Sequence, residues 1–210
     1  MVSIAPSILA VKFEDLATEI KTVEEAGADY IHIDVMDGEF VNNKTLGIDM
    51  LTVANETTNL PLDTHLMVEN PEDWIEDFLN SDIITFHVEA VDEETANGLI
   101  EKLHEHEVRA GIAIKPSTSI EEILPYIDKV DVVLIMTVEP GFGGQKLIPE
   151  CLEKVKRLRE ISSEIDIEVD GGINLENIEK VKQAGANIIV AGTAIFGVTN
   201  KKYVIDAMKR

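Results

Sequence analysis

Eight short apolar runs punctuate the 210-residue chain at nearly even intervals, and this spacing limits what it can fold into more than any other feature. The runs are VSIAPSI, YIHIDVM, LDTHLM, IITFHV, RAGIAI, VVLIM, IDIEVD and NIIVA. Between them lie segments with apolar residues at helical spacing and acidic residues near their starts: FEDLATEIKTVEEAGA, PEDWIEDFLN, EETANGLIEKLHEHE, SIEEILPYI, PECLEKVKRLREISSE and LENIEKVKQAGA. Strands that alternate with helices pair in parallel, and eight such units in just over 200 residues predict a closed α/β fold, the (β/α)8 or TIM barrel. A doubly wound open sheet is the alternative. The stretch from Asp37 to Pro61 is the least regular, and its helix is the least defined. No linker rich in Pro, Gly or Ser divides the sequence, so residues 1–210 are expected to form a single barrel domain.

Composition narrows the function classes. Forty acidic against 18 basic residues give a net charge of −22, which argues against a nucleic-acid partner, because phosphate backbones are held mainly by Lys and Arg. No run of about 18 apolar residues suggests a membrane span, and the N-terminal stretch has neither a charged leader nor a cleavage-like end, so a cytoplasmic location is expected. The lone cysteine, Cys151, falls at an expected helix start and reads as an inert structural thiol. Distant charges are screened beyond about 8 Å at physiological salt, so an acidic chain can still build a local anion site.

Active sites of barrels lie where the strands run out. On the second strand His32, Asp34 and Met36 share the interior parity; on the third, Asp63, His65 and Met67 do; on the seventh, Asp170 is the last interior residue. His32, Asp34, His65 and Asp170 together offer two imidazoles and two carboxylates. That donor set suits one divalent ion such as Zn²⁺, with Fe²⁺, Mn²⁺ or Co²⁺ as alternatives, better than Ca²⁺ or Mg²⁺. A cation that polarises a carbonyl makes the adjacent C–H acidic, and carboxylates on opposite faces of that carbon would invert it, which is epimerisation. Asp34 and Asp170 are the expected catalytic pair. Met36, Met67 and Met136 end their strands at interior positions and are expected to shield the intermediate as an adaptable apolar cap.

Three glycine-rich turns follow the sixth, seventh and eighth strands: PGFGGQ, DGGI and AGTAIF. Glycine admits close backbone approach, and turns that open helices aim N–H groups at an anion. Together these turns point to a phosphate site built from Gly141, Phe142, Gly143, Gly144, Gly171, Gly172, Gly192 and Thr193, without any lysine.

The segments APSILA, HIDVMDGEFV, HLMV, FHVEA, MTVEPGFGGQ, VDGGI and AGTAIF resemble the ribulose-phosphate 3-epimerase family across essentially the whole chain. The resemblance implies a ribulose-phosphate-binding type of TIM barrel that interconverts D-ribulose 5-phosphate and D-xylulose 5-phosphate by proton transfer at C3, with a divalent metal. It implies that Asp34 and Asp170 are the acid/base pair and bind metal beside His32 and His65, and that Ser7, His65 and Asp170 contact substrate. Asn42 stands where the family commonly has proline, Leu147 where phenylalanine is common and Thr193 where serine is usual. Thr193 keeps the hydroxyl. The partner implied is a small sugar phosphate, with a homo-oligomer as a further possibility.

Other readings differ in what they require. A six-carbon substrate such as D-allulose 6-phosphate would suit the same chemistry. A lyase or synthase on this barrel would want a lysine beside the acids, and a non-catalytic sensor would need no matched bases. His87 and Glu89 are expected to support the metal ligands by hydrogen bonding. Glu168 shares the interior parity of Asp170 one layer deeper and would need a cationic partner, for which Lys115 is the expectation. His104 and His106 are expected in solvent.

Overall fold

In the computed structural model, which describes residues 2–210, all eight runs form strands: β1 (Ser3–Pro6), β2 (Ile31–Met36), β3 (Leu62–Met67), β4 (Ile83–His87), β5 (Arg109–Ile114), β6 (Val132–Met136), β7 (Asp166–Asp170) and β8 (Ile188–Ala191). They make one parallel sheet in the order β1-β8-β7-β6-β5-β4-β3-β2. A parallel bridge between Ser7 and His32 brings its two ends together. The helices are α1 (Leu16–Glu25), α2 (Gly47–Thr57), α3 (Glu93–Glu105), α4 (Cys151–Ile161), α5 (Ile178–Ala184), α6 (Thr193–Phe196) and α7 (Lys201–Lys209).

Two expected helices are absent as such. PEDWIEDFLN and SIEEILPYI each fold into a pair of 3-10 turns, Pro71–Asp73 with Ile75–Phe78 and Ile120–Glu122 with Leu124–Tyr126. Both segments are short for a helix that must nucleate alone. In the second, Pro125 lacks the N–H an α-helix interior would use. The ill-defined region after β2 does contain a helix, α2, behind an irregular loop. Cys151 is buried at the first position of α4, and burial raises its thiol pKa.

Alternation along the strands sorts side chains into two compartments. One face packs Ile31, Ile33, Val35, Ile112, Val133, Ile135, Ile167 and Val169 with the helices into the main core. The other fills the barrel, and there small and polar residues, Ala5, Thr85, Gly111 and Ala113 with His32, Asp63 and Glu168, lie among Leu134, Ile188 and Val190, all of them buried.

Gly111 marks how tight this interior is. A Cβ added there would lie 2.0 Å from Thr85 Oγ1 and 2.9 Å from Thr85 Cβ on the paired strand. Gly111→Ala is therefore expected to destabilise the protein by about 1–3 kcal/mol, the usual cost of overpacking. Urea denaturation checks this, and an unchanged midpoint would show that the interior yields freely.

Candidate active site

Parallel pairing in register delivers the polar residues together: His32 faces Asp63, Asp34 faces His65 and Met36 faces Met67 across β2 and β3. Asp170 arrives from β7, three strands away through β8 and β1. One ligand atom from each of His32, Asp34, His65 and Asp170 lies within 4.8 Å of every other. Asp34 is the hub. Its Oδ2 accepts the Ser7 hydroxyl at 2.6 Å, and its Oδ1 lies 3.2 Å from His65 Nδ1 and 3.4 Å from His32 Nε2.

The cluster fits a divalent metal ion on two grounds. His32 Nε2 is buried with no hydrogen-bond partner among the described residues, although it points at Asp34. Its other nitrogen is tied to Asp63 Oδ2 at 2.7 Å, which orients the ring as a metal-binding histidine is oriented. Two imidazoles and two carboxylates are also the donor set of Zn²⁺ and its divalent neighbours.

The two carboxylates differ electrostatically. Burial pushes Asp34 up, but the His32 and His65 imidazoles outweigh it and hold this carboxyl well below the ordinary range. Burial, with the negative charge of Asp34 alongside, pushes Asp170 up to about 6. The two carboxyls are thus pushed in opposite directions by their surroundings.

Glu168 corrects one expectation. Its Oε1 lies 3.3 Å from His32 Nδ1, and burial with the nearby Asp63 charge holds its pKa well above normal. Lys115 plays no part in this: its Nζ sits 3.5 Å from the centre of the Phe40 ring. Lys115 follows the end of β5 at the mouth, whereas Glu168 lies a layer down, where His32 and Asp63 already fill the space. Asp63 was the residue whose role the sequence left unassigned; its parity with His65 was the available signal. The support expected from His87 and Glu89 is present in the contacts: His87 Nε2 lies 2.8 Å from His65 Nε2, and its Nδ1 3.0 Å from Glu89 Oε2. His106 is exposed, and the half-exposed His104 pairs with Asp131 at 2.9 Å.

A cavity of about 690 Å³ opens over the cluster. Ser7, Asp34, Met36, Met67, Met136 and Asp170 line it on one side. Residues 141–145, 171–173 and 192–194 line the other, so all the expected phosphate-side residues face this space, with Phe142 the most exposed of them. The three methionines are almost wholly buried, and Met36 and Met67 pack with Val41, Leu9 and Phe40. Gly171 and Gly172 have φ of +123° and +69°, and a Cβ at Gly172 would strike Leu147 N at 2.3 Å, so the turn after β7 needs both glycines.

Contacts made by two further residues are not legible in the sequence. Thr137 Oγ1 donates to the carbonyls of Asp170 and Gly171, and Asn43 Nδ2 donates to Gly141 O at 2.7 Å across the mouth. Asn42 and Thr193 cause no visible disruption: Asn42 is exposed, and Thr193 lines the cavity.

Comparison with known proteins agrees with this geometry. The model of the ribulose-phosphate 3 epimerase family matches residues 3–196. A ribulose-phosphate 3-epimerase of Bacillus subtilis is 43% identical over 216 residues, covering 100% of this chain and 99% of that one. The cytoplasmic isoform of the same enzyme from Oryza sativa subsp. japonica is 42% identical, covering 99% and 92%. Among solved structures, 3-hexulose-6-phosphate synthase aligns with a TM-score of 0.69 at 17% identity over 100% of this chain and 98% of its own. KGPDC from Streptococcus mutans reaches 0.73 at 12% identity over 100% and 96%. At these identities the two structures speak for the fold alone.

Zinc titration of chelator-treated protein is expected to saturate at one ion per chain, and His32→Ala to lose that binding while far-UV circular dichroism is retained. Equal zinc uptake by His32→Ala would remove this imidazole from the ligand set.

Proposed function

The chain belongs to the ribulose-phosphate 3-epimerase family and is an isomerase acting on a carbohydrate phosphate; from that premise we propose that it interconverts D-ribulose 5-phosphate and D-xylulose 5-phosphate at C3 by two-base proton transfer between Asp34 and Asp170. The observation that carries the reading is that these two carboxylates, from strands three apart around the barrel, face one cavity within 4.8 Å of each other's ligand atoms. A sugar carbon between them has one on each side.

His32, Asp34, His65 and Asp170 would hold one divalent ion, with Zn²⁺ the best fit to the donors and Fe²⁺, Mn²⁺ or Co²⁺ next. Bound there, such an ion supplies positive charge that acidifies the C–H beside a carbonyl and offsets the charge of the enediolate. Everything else is done by the chain. Asp34, fixed by the Ser7 hydroxyl, takes the C3 proton on its face. Asp170 returns a proton to C3 from the other face, and the reverse reaction exchanges the two roles. Met36, Met67 and Met136 cover the planar intermediate without offering it a proton, and Ser7, which lines the cavity, bears on the substrate oxygens, whereas His65, expected at the substrate, is buried outside the cavity lining. The glycine turns after β6, β7 and β8, with Thr193, bind the phosphate through backbone and hydroxyl donors, which suits a chain of such negative charge. We read residues 1–210 as one domain with one site, working in the cytoplasm like the rice relative's isoform, and able to form a homo-oligomer.

Asp34→Asn and Asp170→Asn are each expected to lower kcat at least about 10²-fold even with metal restored, the usual scale for a positioned acid or base. A near-normal rate in either metal-loaded variant removes that residue from catalysis. Ribulose 5-phosphate turned over in D₂O should yield xylulose 5-phosphate carrying deuterium at C3 at early conversion, read by NMR. Unlabelled epimer would rule out two solvent-exchanging bases, and conversion of allulose 6-phosphate alone would move the substrate to six carbons.

A further inference from the structure

Four side chains run in a line from the barrel mouth to the loop after β5. Asp34 Oδ1 lies 3.2 Å from His65 Nδ1, His65 Nε2 lies 2.8 Å from His87 Nε2, and His87 Nδ1 lies 3.0 Å from Glu89 Oε2. Asp34 and both histidines are buried, while Glu89 reaches the rim. There Glu89 Oε1 accepts the backbone N–H of Lys115 at 2.7 Å and the Thr118 hydroxyl. The Phe40 ring packs on His87 with centroids 4.9 Å apart, so the middle of the line is held from the side as well.

A neutral imidazole has one N–H and one lone pair, so fixing one contact fixes the next. Glu89 is an acceptor at the outer end, because it already collects two donors, and His87 must therefore give it the Nδ1 hydrogen. His87 Nε2 is then a lone pair. The hydrogen in the 2.8 Å contact belongs to His65 Nε2, and His65 Nδ1 is left as a lone pair directed at the Asp34 carboxylate. The opposite polarity would aim a lone pair of His87 at a carboxylate. The chosen one leaves two acceptors facing each other at a buried point, which a cation beside both of them satisfies. His32 is held the other way round, with Asp63 at Nδ1 and Nε2 free, so the two histidines present different nitrogens to one centre.

We propose that His87 and Glu89 are positioning residues that lock His65 in its Nε2–H tautomer, so that Nδ1 faces the metal centre as a ligand lone pair. The proposal rests on the metal-centre reading given under the proposed function. Neither residue lines the cavity, and both act through His65.

The test uses the zinc-loaded protein labelled with ¹⁵N. Long-range histidine ¹H–¹⁵N spectra are expected to show His65 protonated at Nε2 alone and His87 at Nδ1 alone, with scalar coupling across the N–H···N contact. In chelator competition His87→Leu is expected to weaken Zn²⁺ binding about 10- to 100-fold, and His87→Gln, which keeps an acceptor for His65, to lose less. His65 protonated at Nδ1, or undiminished affinity in a folded His87→Leu, overturns the proposal. Where His87→Leu fails to fold, the wild-type spectrum decides by itself. Wild-type protein that takes up no zinc overturns the metal-centre reading and the tautomer lock together, an outcome distinct from zinc binding that ignores His87.

Discussion

The barrel closes at one seam, and the site is built on its upper end. β1 and β2 share only the Ser7–His32 bridge, whereas every other neighbouring pair has a ladder of at least three matched residues. Beyond that bridge the seam is held by isolated bonds rather than a ladder, with the N–H groups of Asp29 and Tyr30 donating to Ile4 O at 2.9 and 3.3 Å and side chains adding to them. At the lower end Asp29 accepts the N–H of Ile4 at 2.7 Å, and Lys209 of α7 clasps Asp29 from outside. At the upper end the Ser7 hydroxyl donates to Asp34. The carboxylate proposed to take the substrate proton is thus also a structural clasp, so the closure of the fold fixes its position without a dedicated support.

A second constraint is the charge inside the barrel. Asp34, Asp63, Glu168 and Asp170 point inward with His32, His65 and His87, and no lysine or arginine is buried among the described residues. Buried carboxylates without cationic partners are expensive. The chain meets this in three ways: Glu168 is held toward its neutral form, His32 is shared between Asp34 and Asp63, and the four mouth residues leave room for a divalent ion. A lysine beside Glu168 would have removed part of the charge deficit that suits the mouth to a cation. The absence of Lys115 from this layer therefore belongs to the same design as the ligand cluster.

Much of this was legible because a strand has a strict period of two. Once IHIDVM and LDTHLM are strands, His32, Asp34, His65 and Asp63 must share one side, and register in a parallel sheet brings them level. The crossovers were less legible, since amphipathic spacing in PEDWIEDFLN or SIEEILPYI marks a buried face without revealing whether the backbone closes α or 3-10 turns. Contacts across the mouth were invisible. Nothing near Asn43 announces that its amide will reach Gly141, 98 residues away, and nothing in FHVEA says which nitrogen of His87 faces His65. Those facts belong to the closed ring rather than to any segment of it.

The same ring explains how an acidic chain can handle a sugar phosphate. The cavity divides into a half lined by Asp34, Met36 and Met67 of β2 and β3 with Asp170 of β7, above the buried His32 and His65, and a half lined by the turns after β6, β7 and β8. Asn43, in the loop after β2, grips the loop after β6 and joins the two halves, with Val41 packed against Gly141 beneath it. In the proposed reaction the phosphate is gripped far from C3, and its binding energy serves to hold C3 between Asp34 and Asp170 instead of adding only to affinity. The tie between the loops keeps those two tasks at a fixed separation. In that reading a ketose phosphate of another length must bend or shift to keep its C3 between the carboxylates, so the spacing of the two halves bears on which substrate the site accepts.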